Sequence, residues 1–237
     1  MLSWDKTPAL SQMQCARAWV EIDLTALANN IKSLKALLPE KTDLMSVVKA
    51  DAYGHGAITV AQVALASGAT WLGVATVPEG IELRQAGIDA PILVMGAVND
   101  PVEVGAIARW HLQPTIVNPK QALVFSETLA SLAPADYWDG MGISVHLKLD
   151  TGMSRLGFSW RQAVELARFV QQLPHLDAVG VHSHLATADS PDPTTMRLQH
   201  VRFEQAIADL KQATLLPPKL HLANSAATLS SPDLHYD

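Results

Sequence analysis

LMSVVKADAYGHGAITVAQVALASGATWLGVA, residues 44–75, reads as a strand, a helix and a second strand, and its reading decides the fold. The apolar run 44–48 has strand length, and residues 57–69 form an Ala-rich helical stretch closing at Gly68 and Ala69. A second apolar run follows at 71–75. No hairpin dipeptide such as Asn-Gly separates the two runs, so they are expected to lie parallel, joined by a right-handed crossover. The alternation continues, with strands at 92–95, 115–117, 143–149, 178–184 and 220–223 and helices at 77–86, 101–110, 119–132, 160–173 and 194–213. These strands are short and mostly apolar on both faces, as parallel strands covered by helices are. The choice is an open doubly wound sheet or a closed barrel, and no Gly-x-Gly-x-x-Gly follows the first strand. The expected fold is an α/β, (β/α)8 TIM-type barrel, with the seven strands counted from Leu44 leaving it one short. Upstream, residues 19–23 read as a short strand. Asp23 reads as the N-cap of a helix with Leu27, Ile31, Leu34 and Leu38 on its apolar face, stopped by Pro39.

Composition bounds the partners. The 237 residues carry a net charge of −6, are 49% hydrophobic and 17% charged, and contain one cysteine, Cys15. That apolar fraction excludes an intrinsically disordered chain. Mild acidity without a Lys/Arg block argues against nucleic acid and anionic membrane. A lone Cys15 forms no internal disulfide, which suits a reducing cytoplasm. No apolar run approaches the roughly 20 residues of a membrane span. Residues 1–17 lack the apolar core of a secretion signal. The expected organisation is a tail over 1–18 and one barrel domain over 19–237.

Chemistry in such barrels sits at the C-terminal ends of the strands, and four of these ends carry unusual polar groups. In VVKADAYGHG, Lys49 closes an apolar run, with Tyr53, Gly54, His55 and Gly56 behind it. A buried lysine is costly unless its charge is paired, lowered or used covalently; the plainer reading is a lysine that snorkels to the surface. In HLKLDTGMSRLGF, His146, Lys148 and Asp150 alternate and so share one face, either an inward ionised cluster or a solvated edge. Arg155 follows the Thr151-Gly152 turn, where it can reach over the barrel mouth with the fork geometry that grips a carboxylate or phenolate. In HSHLATAD, His182 and His184 share a face and Asp189 follows. In HLANSAATL, His221, Asn224 and Ser225 stand where a strand meets a helix, either a phosphate seat or simply a cap.

Two function classes compete on these residues. His-x-His with a strand lysine invites a metal-dependent barrel hydrolase, but Lys148 precedes His182 and His184, the reverse of the usual order. A buried lysine beside a tyrosine, with a phosphate seat on another strand, is what pyridoxal phosphate requires, the lysine forming an imine and the cofactor serving as electron sink. VVKADAYGHG, HLKLDTGMSRLGF, HSHLATAD and HLANSAATL closely resemble the motifs of the bacterial alanine racemase family, over most of the chain from WVEIDLTALANNI onward.

The resemblance implies roles. Lys49 holds pyridoxal 5'-phosphate and acts as the base on one face of the substrate; Tyr53 and Ser225 bind the phosphate, with Asn224 beside it. Arg155 contacts the phenolic oxygen of the cofactor and the substrate carboxylate. Lys148 matches a lysine that is carbamylated in family members, its new negative charge orienting the arginine. His184 joins a hydrogen-bond network behind the cofactor ring, while His146 and His182 receive no role. The implied activity is interconversion of L- and D-alanine by a cytoplasmic homodimer supplying peptidoglycan synthesis. Family members continue past the position of Asp237 into a last strand and a β-rich domain that supplies the opposite-face base. The chain is therefore expected to be the N-terminal barrel portion, truncated, and a poor racemase alone. Its own tyrosines offer little: Tyr53 is committed to phosphate, Tyr137 lies in a loop and Tyr236 at a frayed terminus. A non-catalytic pyridoxal-phosphate-binding barrel is the alternative of similar length.

Overall fold

The structure, a computed structural model, describes residues 18–132 and 142–237. Cys15, Tyr137 and nearly all of the expected 1–18 tail lie outside the described residues. Along the chain come α1 (Leu24–Leu37), β1 (Met45–Val47), α2 (Ala57–Ala66), β2 (Trp71–Val74), α3 (Val77–Gln85) and β3 (Ile92–Val94). Then follow α4 (Pro101–Arg109), β4 (Gln113–Ile116), α5 (Pro119–Ser131), β5 (Ile143–Asp150), the two-residue β6 (Phe158–Ser159) and α6 (Ala163–Gln171). The last are β7 (Leu176–His182), α7 (Thr194–Gln212), β8 (Lys219–His221) and α8 (Ser225–Ser230). The strands pair in the order β1-β2-β3-β4-β5-β7-β8, with β6 beside β5. Every ladder is parallel.

Local chemistry sets the helix starts. The Asp23 carboxylate accepts the N–H groups of Thr25 and Ala26, opening α1 as expected. Asp100-Pro101 and Asn118-Pro119 open α4 and α5 in the same way, the side chain taking a backbone N–H and proline occupying a position that has none to offer. The core has two faces. Leu72, Ile92, Leu93, Ile116, Leu147 and Val181 fill the sheet, and Leu83, Ile107, Phe125, Leu166 and Phe203 press on it from the helices, all fully buried.

The expected strand at 19–23 is not formed. Trp19 and Val20 are 60% and 78% exposed, and the segment has no ladder partner among the described residues. A strand is stabilised by pairing rather than by its own pattern. The barrel seam lies between β8 and β1, which do not pair. Side chains bridge it: Lys219 Nζ lies 2.6 Å from Asp43 Oδ2, and Thr42 donates to the Tyr236 carbonyl. The Asp237 N–H donates to the Leu220 carbonyl on β8.

Candidate active site

Lys49 follows β1 after a single residue, Val48, and begins an unusual piece of backbone. Ala50, Asp51, Ala52 and Tyr53 all have φ between 51° and 58° with ψ between 36° and 51°, a full left-handed turn built without glycine. Each such residue is disfavoured by roughly 1–2 kcal/mol, so the surroundings must hold the turn. Ala52 N–H donates to the Val48 carbonyl at 2.9 Å, and the Asp51 carboxylate accepts Ala57 N–H at 2.7 Å, tying the turn to the start of α2. The Lys49 ammonium lies 5.9 Å from the centre of the Tyr53 ring.

The turn borders a cavity of 690 Å3 at the barrel mouth, which also receives Lys148, Arg155, His182, His184, Asn224 and Ser225. The alternation in β5 therefore faces inward, and its three polar side chains do different work. Lys148 is the cross-strand neighbour of His182. Burial, with Arg155 adding repulsion and Asp150 opposing, brings its amine down to about 8. Asp150 Oδ1 accepts the N–H groups of Gly152 and Ser154, shaping the turn that presents Arg155. His146 lies 2% exposed on the cavity floor, its Nδ1 3.0 Å from His221 Nε2 and its Nε2 2.9 Å from Gln113 Oε1. The ring fits because its neighbour on β7 is Gly180: a Cβ there would stand 2.2 Å from His146 Nδ1. His182 stacks on His221 with centroids 4.4 Å apart, and His182 Nε2 is buried without a hydrogen-bond partner.

Four of the cavity's histidines, His146, His182, His184 and His221, are held neutral. Burial, then the nearby Lys219 ammonium, pushes His146 down to about 4. Burial, then Lys148, Arg155 and Lys49, does the same to His184. Burial and neighbouring basic groups drive His182 and His221 well below the ordinary imidazole range. Asn224 caps α8, its side chain accepting Ala227 N–H, and Ser225 is the first residue of that helix.

Of the residues singled out from sequence, Lys49, Tyr53, Lys148, Arg155, His184, Asn224 and Ser225 all line this one cavity. Asp189 does not; it lines a separate cavity with Arg197 and His200. Nor is Tyr236 frayed: its hydroxyl donates to Glu204 Oε1 and meets His200 Nε2 at 3.0 Å, and its ring packs on Phe203. Among the described residues, no three His, Cys, Asp or Glu side chains converge as a metal site would need.

Sequence reading missed the scaffold. Gln199 on α7 donates to the His184 carbonyl and accepts Ala186 N–H, and Arg202 donates to the Thr151 carbonyl, so one helix clamps both site loops. Gln199 left no signal in the letters. Glu79 did: Thr76-x-x-Glu79 is a capping-box pattern, and the Glu79 carboxylate reaches both Thr76 N–H and Ala50 N–H.

Fold and site together define a parallel (β/α) barrel protein with a lysine-centred cationic cavity at its strand ends. More narrowly, the chain belongs to the alanine racemase N-terminal domain family, whose profile matches residues 22–237. It is 62% identical over 221 residues to an alanine racemase from Nostoc sp., covering 93% of this chain and 56% of that protein. With the alanine racemase of Synechocystis sp. it shares 56% identity, over 93% of this chain and 58% of the relative. The structure is similar to that of alanine racemase from Clostridium difficile 630 in complex with cycloserine. That match has a TM-score of 0.86 at 33% identity, over 94% of this chain and 59% of the other. The chain thus spans little more than half the length of these relatives.

Proposed function

We propose that this chain is the cofactor-binding barrel of a pyridoxal-phosphate-dependent alanine racemase, with Lys49 as cofactor-bearing lysine and proton-transfer base. The observation that carries the reading is Lys49 at the end of β1, on the same cavity as Arg155, a neutral His184 and the start of α8. The donor set fits the group: a primary amine for a carbonyl carbon, a guanidinium for oxyanions, and hydroxyl and amide groups of Tyr53, Ser225 and Asn224 for a phosphate. Bound pyridoxal phosphate supplies an electron sink for the bond between the substrate α-carbon and its hydrogen.

The chain's own residues do the rest. Arg155 binds the substrate carboxylate and fixes the plane of approach. Lys49 Nζ takes or returns the α-proton from one face. His184, neutral, offers a hydrogen bond without a second positive charge beside Arg155. The uncharged amine of Lys148 adds to the carbon of carbon dioxide, an N–C bond forming as one C=O π bond opens and the amine gives a proton to solvent. The resulting carbamate changes a cation that repels Arg155 into an anion that orients it. The opposite face needs a second acid–base group, and Tyr236 is engaged by Glu204 and His200. In the same reading the protein acts as a cytoplasmic homodimer and supplies D-alanine for peptidoglycan.

The test is to incubate the protein with pyridoxal phosphate, reduce it with borohydride and map the labelled peptides by mass. The label is expected on Lys49. A label on Lys148, or on no lysine, overturns the assignment.

A further inference from the structure

The left-handed turn after Lys49 begins at Ala50, and the Ala50 N–H is held by a side chain from another βα unit. Glu79, at the start of α3, accepts it on Oε1 at 2.9 Å. Its other oxygen accepts the N–H groups of Ala75 at 2.7 Å and Thr76 at 3.2 Å. Capping α3 requires only the second oxygen. The first is turned outward from its own helix to the residue that follows the lysine. The Val48 N–H donates to the Gly73 carbonyl at 2.9 Å, so β1 and β2 are already joined up to the residue before Lys49. Glu79 extends that junction past the lysine, where the chain leaves the sheet and enters strained backbone.

We propose that Glu79 is a positioning residue for Lys49. One carboxylate, anchored on Ala75 and Thr76, fixes the first residue of the left-handed turn and so fixes the direction from which the lysine enters the cavity. This rests on the reading of Lys49 as the cofactor-bearing residue. A carboxylate is required because three N–H donors converge on two oxygens and both must accept. In Glu79→Gln one of those oxygens becomes an NH2 group facing an N–H, and either the cap or the turn loses its acceptor.

Two measurements on the protein test this, with Asp100→Ala as control. That substitution removes the cap of α4, where Asp100 accepts Val102 N–H and does not line the cavity. The first measurement is amide hydrogen exchange over residues 49–57, which needs no cofactor. The second is the affinity for pyridoxal phosphate, read as borohydride-trapped label on Lys49 against cofactor concentration. Glu79→Gln is expected to speed exchange in this segment, and to weaken pyridoxal phosphate, by about tenfold or more, the size of one charge-assisted hydrogen bond. Asp100→Ala should leave both within about twofold. Should Glu79→Gln fail to fold, Glu79→Asp, one methylene too short to span both sets of donors, is read the same way. The proposal is overturned if the Glu79 variant leaves exchange over 49–57 and cofactor affinity unchanged, or if Asp100→Ala reproduces both effects. Absence of label on Lys49 in the unaltered protein overturns the cofactor reading alone, and the exchange measurement then still decides the role of Glu79.

Discussion

Acid should loosen this barrel from its floor. His146 meets Trp71 on β2, Gln113 on β4, His182 on β7, and His221 and Lys219 on β8. Burial first, and Lys219 second, hold its imidazole down at about 4, against 6.5 for an ordinary histidine. In the unfolded chain the ring takes up a proton near 6.5. The folded state therefore binds fewer protons between those values, and stability, fully present above pH 6.5, is lost as pH falls toward 4. Each tenfold difference in proton affinity is worth about 1.4 kcal/mol, so His146 alone accounts for about 3 kcal/mol across the window. His182 and His221 act with the same sign. The assay is urea unfolding at a series of values from about pH 7.5 to about pH 4.5, for the protein and for His146→Gln. The variant is expected to start less stable yet to lose about 2–3 kcal/mol less on acidification. Unfolding free energy that stays flat across the window, or a variant that retains the whole acid loss, would refute the reasoning.

Two further outcomes are expected. With its amine at about 8, Lys148 carries a far larger uncharged fraction at neutral pH than an ordinary lysine, so 13C-labelled bicarbonate should give a carbamate NMR signal that Lys148→Ala abolishes; a signal unchanged in the variant disproves the modification. Gly180→Ala places a Cβ 2.2 Å from His146 Nδ1, with its three nearest atoms all in that buried ring, and should cost about 1–3 kcal/mol in chemical unfolding, the ordinary range for overpacking; a variant as stable as the parent would show that the floor is not rigid.

Much of the fold was legible because its signals are local. Asp23, Asp100-Pro101 and Asn118-Pro119 announce helix starts in consecutive residues, and the buried strands between them leave little choice but parallel pairing. The strand expected at 19–23 failed because five residues of suitable pattern say nothing about a partner. The left-handed turn was hidden for the opposite reason: Ala50 to Tyr53 are residues that avoid that conformation in isolation, and what holds them comes from Val48, Ala57 and the distant Glu79. At the site, the strand-end motifs carry the residues that gather around the cavity. The links among His146, Gln113 and His221 join three strands far apart in the chain, and no spacing rule reaches them.

The strand order of the main sheet separates its local contacts from its distant ones. Each ladder of the main sheet joins strands that follow one another along the chain, save only the short detour through β6, so the sheet can grow stepwise from any starting pair. Closure is different. The Lys219–Asp43 bridge and the Thr42–Tyr236 hydrogen bond span 176 and 194 positions of sequence, the kind of long-range contact whose loop entropy is met late. Lys219 belongs to both the seam and the surroundings of His146, since its charge pairs with Asp43 while it lowers the proton affinity of the buried ring. A change at Lys219 therefore acts in two places at once, on the contact between β8 and the start of β1 and on the proton affinity of the buried ring.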